Sequence, residues 1–256
     1  VGALNARLYT LMANSAQEKA MERLSSGRRV NSAADDAAGL AVAGKMESQL
    51  RGINMAIRNN QDGVGLVQTA EAGINEIRNM VLRIRELAVQ MANGIYEDSP
   101  DRANAQLEVE ALQAQVNLIA GYTRFNDVSL LDGTFSAVDI QAGNTTSETI
   151  ALTITTMTTT GLNFSTVSVS TQSNAQAAIT TMDAALTDIA TEQATLGSNI
   201  NRLNFSIANL SRSSVMTEQA LGRIVDADFA QESTALSKSQ ILNQAATAML
   251  AQANQT

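Results

Sequence analysis

The sequence predicts a mainly α protein, an elongated antiparallel helical bundle or coiled-coil rod with a small β-hairpin region in the middle of the chain. Three observations predict it. Apolar residues make up 45% of the 256 positions but aromatics only 3%, so the apolar content is Ala, Leu, Ile, Val and Met, the side chains of helix–helix seams. Apolar positions recur in alternating steps of three and four through the front and back of the chain. Between these stretches, from Thr145 to Thr171, 15 of 27 residues are Ser or Thr.

Toward the front of the chain a heptad series runs Ile53, Ala56, Val67, Ala70, Ile74, Ile77, Val81, Ile84, Ala88, Met91, broken at Asn60 and Gly63. Gly94 reads as a helix C-cap, and Ser99-Pro100 as an N-cap followed by proline at the first helical position. A second series follows at Ala105, Val109, Leu112, Val116, Ile119. The short connection makes the two helices antiparallel neighbours.

The middle changes period. Leu131-Asp132-Gly133-Thr134 is a turn signal, and Val138 and Ile140 flank Asp139 as in a short strand. Ile150, Leu152 and Ile154 keep a period of two, as do Val167 and Val169. Two strands joined around Thr160-Gly161 are expected; a solvated low-complexity linker is the alternative.

Ser173-x-x-Gln176 is a capping box that opens the most regular stretch. The seam there runs Ile179, Met182, Leu186, Ile189, Leu196, Ile200, Leu203, Ile207, Leu210, with Gln193 at the missed position, and resumes at Leu221 and Ile224. A helix of about 50 residues, roughly 75 Å long, is implied, and one apolar stripe of that length needs partner helices. The ends are different. Leu4, Leu8, Leu11, Met21 and Leu24 at one end, and Leu236, Ile241, Leu242, Met249 and Leu250 at the other, give stripes too thin for an independent core. Such ends are expected to pair with each other or with other copies. We assign Leu11, Leu24, Leu242 and Met249 to this terminal assembly.

Composition excludes much chemistry. The chain has no His and no Cys, which removes the commonest general base, the thiol nucleophile and the usual transition-metal ligands. No catalytic, metal or cofactor-binding residues are assigned, and no cofactor is expected. A net charge of −8 argues against a nucleic-acid partner, and no apolar run approaches a membrane span. From Val1 no charged, then apolar, then small-residue leader is legible, so a secreted chain is expected to leave without a cleaved signal. Asp35-Asp36 could be a carboxylate pair; adjacent residues on a helix diverge, and a loop or helix start touching a neighbouring subunit is the better reading.

Motifs narrow the class. Glu22-Arg23-Leu24-Ser25-Ser26-Gly27 and Asn31-Ser32-Ala33-Ala34-Asp35-Asp36-Ala37-Ala38-Gly39-Leu40-Ala41 resemble the ERLSSG and NSAxDDAAGLA segments of bacterial flagellin. Gln68-Thr69-Ala70-Glu71, Arg83-Ile84-Arg85-Glu86-Leu87-Ala88-Val89-Gln90 and Thr123-Arg124-Phe125-Asn126 are similar to its QTAE, RxRELAVQ and TxFNG segments, with Asp127 where glycine is usual. Leu196-Gly197 through Leu203, Ile224 through Ala230, and Gln240 through Asn254 resemble its C-terminal motifs. The resemblance covers about 1–135 and 176–256, and implies a few residues before Val1 and a short apolar ending after Thr256.

That resemblance implies the following organisation and function. Residues 1–35 form an inner-tube segment with its connecting loop, 36–135 and 176–224 the rod, 136–175 a short variable β region, and 225–256 the second inner-tube segment. The chain is then a structural subunit, not an enzyme, polymerising with itself into the extracellular filament of the bacterial flagellum for swimming motility. Type III export, an export chaperone, and cap and junction proteins are implied partners; a hook–filament junction protein is the alternative. The residues matching Arg83, Leu87 and Glu108, with Gln90 on the same helix side, form the family's protofilament-packing face. In the monomer that face is implied to be recognised by the vertebrate Toll-like flagellin receptor.

Overall fold

All three apolar series become helices in the computed structural model, which describes residues 2–255. The order is α1 (Gly2–Ser26), α2 (Ala37–Met91), α3 (Ala103–Tyr122), β1 (Arg124–Phe125), β2 (Val128–Ser129), β3 (Val138–Gln141), β4 (Thr149–Leu152), α4 (Gln172–Val225) and α5 (Phe229–Gln255). The chain divides into two compact units, residues 53–211 and residues 1–52 with 212–256.

In the 53–211 unit, α2, α3 and α4 share one core. All ten apolar positions of the α2 series are buried, and Val109 and Val116 of α3 with Met182, Ile189, Leu196 and Leu203 of α4 are fully enclosed. Two cross-links give the α2–α4 direction. Arg85 Nε donates to Asp183 at 2.6 Å and Gln193 Nε2 to Asn75 at 2.7 Å, so the numbers fall along one helix as they rise along the other. The helices are antiparallel. Gly73 of α2 lies tightly against the segment after α3, where a Cβ would meet Thr123 Oγ1 at 2.6 Å and Leu131 Cδ1 at 2.9 Å.

The seam breaks at Asn60 and Gly63 receive the β3–β4 hairpin. Asn60 Nδ2 donates to Ala56 O at 2.7 Å and Ala142 O at 3.2 Å, and Asn59 Nδ2 to Gln141 O at 3.2 Å. Ile140 fits where Gly63 carries no side chain, alongside Leu203. The β3 strand expected from Val138 and Ile140 is present, paired antiparallel with β4 in the register Val138↔Leu152 through Gln141↔Thr149.

Of the two strands expected around Thr160-Gly161, the one carrying Ile150 and Leu152 is present as β4, and the one carrying Val167 and Val169 is not. Residues 153–171 carry no β-pairing, and the hairpin turns at 142–148 instead of at Thr160-Gly161. This Ser/Thr tract is packed coil, not a solvated linker: Ile154, Met157, Leu162, Phe164 and Val169 are buried in the core. Its backbone finds partners on α3. Asn117 Oδ1 accepts from Thr159 N at 3.0 Å, Gln113 Nε2 donates to Phe164 O at 3.0 Å and Val167 O at 3.1 Å, and Gln106 Oε1 accepts from Val169 N at 2.8 Å. Buried backbone groups need partners, and amide side chains along α3 replace a sheet neighbour.

Three end-caps also differ from expectation. Gly94 does not take a left-handed conformation; the carbonyls ending α2 are capped from outside by Arg102 Nε to Met91 O at 2.9 Å and Gln172 Nε2 to Ala92 O at 3.1 Å. Ser99 is extended, as residues before proline are, and offers no side-chain cap; it kinks the Asp98–Arg102 segment that leads into α3. The α4 cap is Thr171, whose Oγ1 accepts from Asn174 N at 3.2 Å, two residues before Ser173.

Candidate functional site

In the unit of residues 1–52 and 212–256, α1 and α5 lie against each other. Among the described side chains, buried and half-buried positions on α1 are Thr10, Ala13, Gln17, Ala20 and Leu24, with Arg23 beside the last; on α5 they are Glu232, Leu236, Ser239, Asn243, Ala246 and Leu250. Both sets step by three and four, so the seam is a heptad, but one made largely of small and polar side chains. Asn243 Nδ2 bonds Asn14 and lies 3.4 Å from Gln17 Oε1, and Arg23 Nη1 pairs with Glu232 at 3.0 Å.

The large apolar side chains point elsewhere. Of the four residues assigned to terminal assembly, Leu24 is half-buried in the seam, while Leu11, Leu242 and Met249 are 59%, 50% and 67% exposed. At least half of the surface of these three is left outside the α1–α5 seam. Leu242 and Met249 line, with Tyr9, Met12, Ala13 and Ala246, an open groove of about 680 Å³. Leu11 lies on another face of α1 with Leu8 and Met12. Leu4, Met21, Phe229 and Ile241 are also at least half exposed. Sequence reasoning missed the true seam because Ala13, Ala20 and Ser239 carry little hydrophobic signal; their heptad spacing was the available clue.

The loops at the base of this pair interlock. Gly27 closes α1 with φ +71°, its N–H donating to Arg23 O at 2.9 Å, the left-handed cap that glycine favours. Arg29 N donates to Val225 O at 2.6 Å and Ala227 N to Gly27 O at 3.0 Å, and Val30 and Val225 are buried. The two adjacent carboxylates have separate tasks. Asp36 caps α2 by accepting from Gly39 N at 2.8 Å. Asp35 accepts from Ser32 N at 3.1 Å and faces Lys19 Nζ at 3.3 Å, and these contacts hold its carboxyl below the usual carboxylate range. No group of three or more Asp or Glu that could hold a metal occurs among the described residues.

The other predicted face lies in the 53–211 unit. Arg83 Nε donates to Glu108 at 2.8 Å across α2 and α3, and Arg83 Nη1 to Glu86 at 3.3 Å; these bonds, led by Glu108, raise the guanidinium's already high pKa. Gln90 is exposed, its Nε2 3.4 Å from Tyr96 Oη. Leu87 is 4% exposed and belongs to the core with Val109. It therefore offers no apolar contact on this surface. Two partner helices widen the buried stripe of α2 beyond the heptad line, which a one-helix reading does not register.

Helices with an apolar outer surface at the two chain ends, joined through a thin seam, are the geometry of a subunit completed by its neighbours. Residues 1–136 match the bacterial flagellin N-terminal helical region and residues 179–256 the bacterial flagellin C-terminal helical region. The chain belongs to the bacterial flagellin family. It is 40% identical over 240 residues to the flagellin of Halalkalibacterium halodurans, spanning 93% of this chain and 88% of that one. The crystal structure of Bacillus cereus flagellin is similar with a TM-score of 0.54 and 33% identity, covering 60% of this chain and 88% of that one. A putative flagellar hook-associated protein from Vibrio parahaemolyticus shares the fold alone, at TM-score 0.63 and 13% identity over 75% of this chain and all of that one. Flagellins are structural proteins of the extracellular flagellar filament, not an enzyme family, and they self-associate.

Proposed function

We propose that this flagellin polymerises through the outer faces of its α1–α5 pair, which form the inner tube of a filament that drives swimming. One observation carries the reading: the pair spends small residues on its own seam and leaves ten large apolar side chains at least half exposed. Burying one such side chain is worth ~1.5–3 kcal/mol. Covering these side chains with neighbouring copies supplies a driving force for association. A contact between unlike faces that does not close into a ring propagates as a helical filament. Export through the flagellar type III apparatus, with chaperone, cap and junction partners, completes this reading. A hook–filament junction protein is the alternative; identities of 33–40% to flagellins support the filament reading. Negative-stain microscopy of the purified chain after adding a precipitating salt tests it. Long filaments are expected; discrete rings or persistent monomer would refute it.

Recognition of the monomer by the Toll-like flagellin receptor is a second reading, favoured by the exposed Arg83–Glu108 pair beside Gln90. With Leu87 in the core, the contact is polar. Arg83→Ala is expected to weaken a receptor reporter response by ~1–3 kcal/mol with helix content unchanged; an unaltered response would leave the face to filament packing.

A further inference from the structure

Asn93-Gly94 is the single Asn-Gly step in the chain, and it sits in the exposed turn after α2. Asparagine before glycine is open to attack on its side-chain amide, because glycine places no side chain beside the attacking nitrogen. Three features of this turn bear on that reaction. Among the described residues, no hydrogen bond holds the Gly94 N–H, the nucleophile once deprotonated. Ile95 N donates to Asn93 Oδ1 at 3.3 Å, polarising the carbon to be attacked. Arg102, 4% exposed, donates from Nη2 to the main-chain Asn93 O at 2.9 Å, and Tyr96 N donates to the same oxygen at 3.4 Å.

We propose that Asn93 is a site of spontaneous deamidation, and that Arg102 steers it to isoaspartate. Gly94 N bonds to Asn93 Cγ and the Cγ–NH2 bond breaks, ammonia leaving with the proton lost by Gly94 and closing a succinimide. Water then opens the ring. The carbonyl carbon that belonged to the main chain is the one already polarised by a buried guanidinium and a backbone N–H, the arrangement that stabilises a developing oxyanion. Water adds there, the bond from that carbon to Gly94 N breaks, and the nitrogen regains a proton. The chain now runs through Cγ, and the freed α-carboxylate lies where Arg102 Nη2 already donates, as a charge-assisted pair. The product adds one negative charge and one backbone methylene to the turn that carries Tyr96, the partner of Gln90.

The test is to age the full chain in mildly alkaline buffer, natively and in denaturing urea, and to quantify both products at residue 93 by peptide mass spectrometry with isoaspartyl methyltransferase labelling. The native chain is expected to accumulate isoaspartate with an isoaspartate-to-aspartate ratio severalfold above that of the denatured chain. Gly94→Ala should abolish the modification; Gly94 has ordinary backbone angles, and an added Cβ meets only Gln172 at 3.4 Å. Arg102→Gln with helix content retained should return the ratio to the denatured value. No modification in the native chain, or equal native and denatured ratios, would overturn the proposal even if that variant fails to fold.

Discussion

Asn60, in the buried seam of α2, donates through Nδ2 to the carbonyl of Ala142 at the end of β3, 3.2 Å away. A polar residue at a heptad position is thus the socket of the hairpin. Asn60→Ala removes this donor and leaves Ala142 O only Ser206 Oγ at 3.5 Å, and a lost internal hydrogen bond costs ~0.5–1.5 kcal/mol. Chemical denaturation should show a loss in that range; no loss would mean the hairpin is not anchored there.

Leu87 separates packing from recognition. Leu87→Ala opens a cavity between α2 and α3, expected to cost ~2–5 kcal/mol, and its melting temperature should fall accordingly. A variant as stable as the parent would place Leu87 on the surface.

Asn126 and Asp127 join β1 to β2 with φ of 48° and 64°, both left-handed as a type I′ turn requires. Flagellin motifs usually have glycine where Asp127 stands. Asp127→Gly removes the left-handed strain of an L residue, so a gain of up to ~1 kcal/mol is expected in equilibrium unfolding. Destabilisation would show that the Asp127 side chain contributes more than it strains.

The Asp35 knot should respond to acid. Its carboxyl lies below the usual range in the folded chain, so its contribution is present above that range and is lost as pH falls through the folded value. Asp35→Asn should lower the melting temperature at neutral pH, and the difference should vanish in strong acid. A difference that persists there would assign the effect to something other than the charge.

Much of the fold was legible because α2 obeys a strict apolar period and every apolar residue of its series is buried. The α4 series was less fully legible. Ala175, Ala178, Ala185, Glu192 and Asn199 complete the buried line, and small or polar residues give no apolar signal. The coil at Val167 and Val169 was misread as strand because the partners of this tract, Gln106, Gln113 and Asn117, lie on α3, and a local period cannot report a helix that replaces a sheet edge. At the ends the motifs gave the family, but not which residues form the α1–α5 seam. Leu11, Leu242 and Met249 drew attention by their size, while Ala13, Ala20 and Ser239 make the contact.

On the proposed reading, the large apolar side chains that α1 and α5 leave exposed meet other copies. This is tested most directly by Met12→Asp with Leu242→Asp, two exposed positions on one groove. Circular dichroism and melting are expected to be unchanged from the parent, with salt-induced filaments absent by negative stain and sedimentation. Filaments formed as readily as by the parent would contradict it.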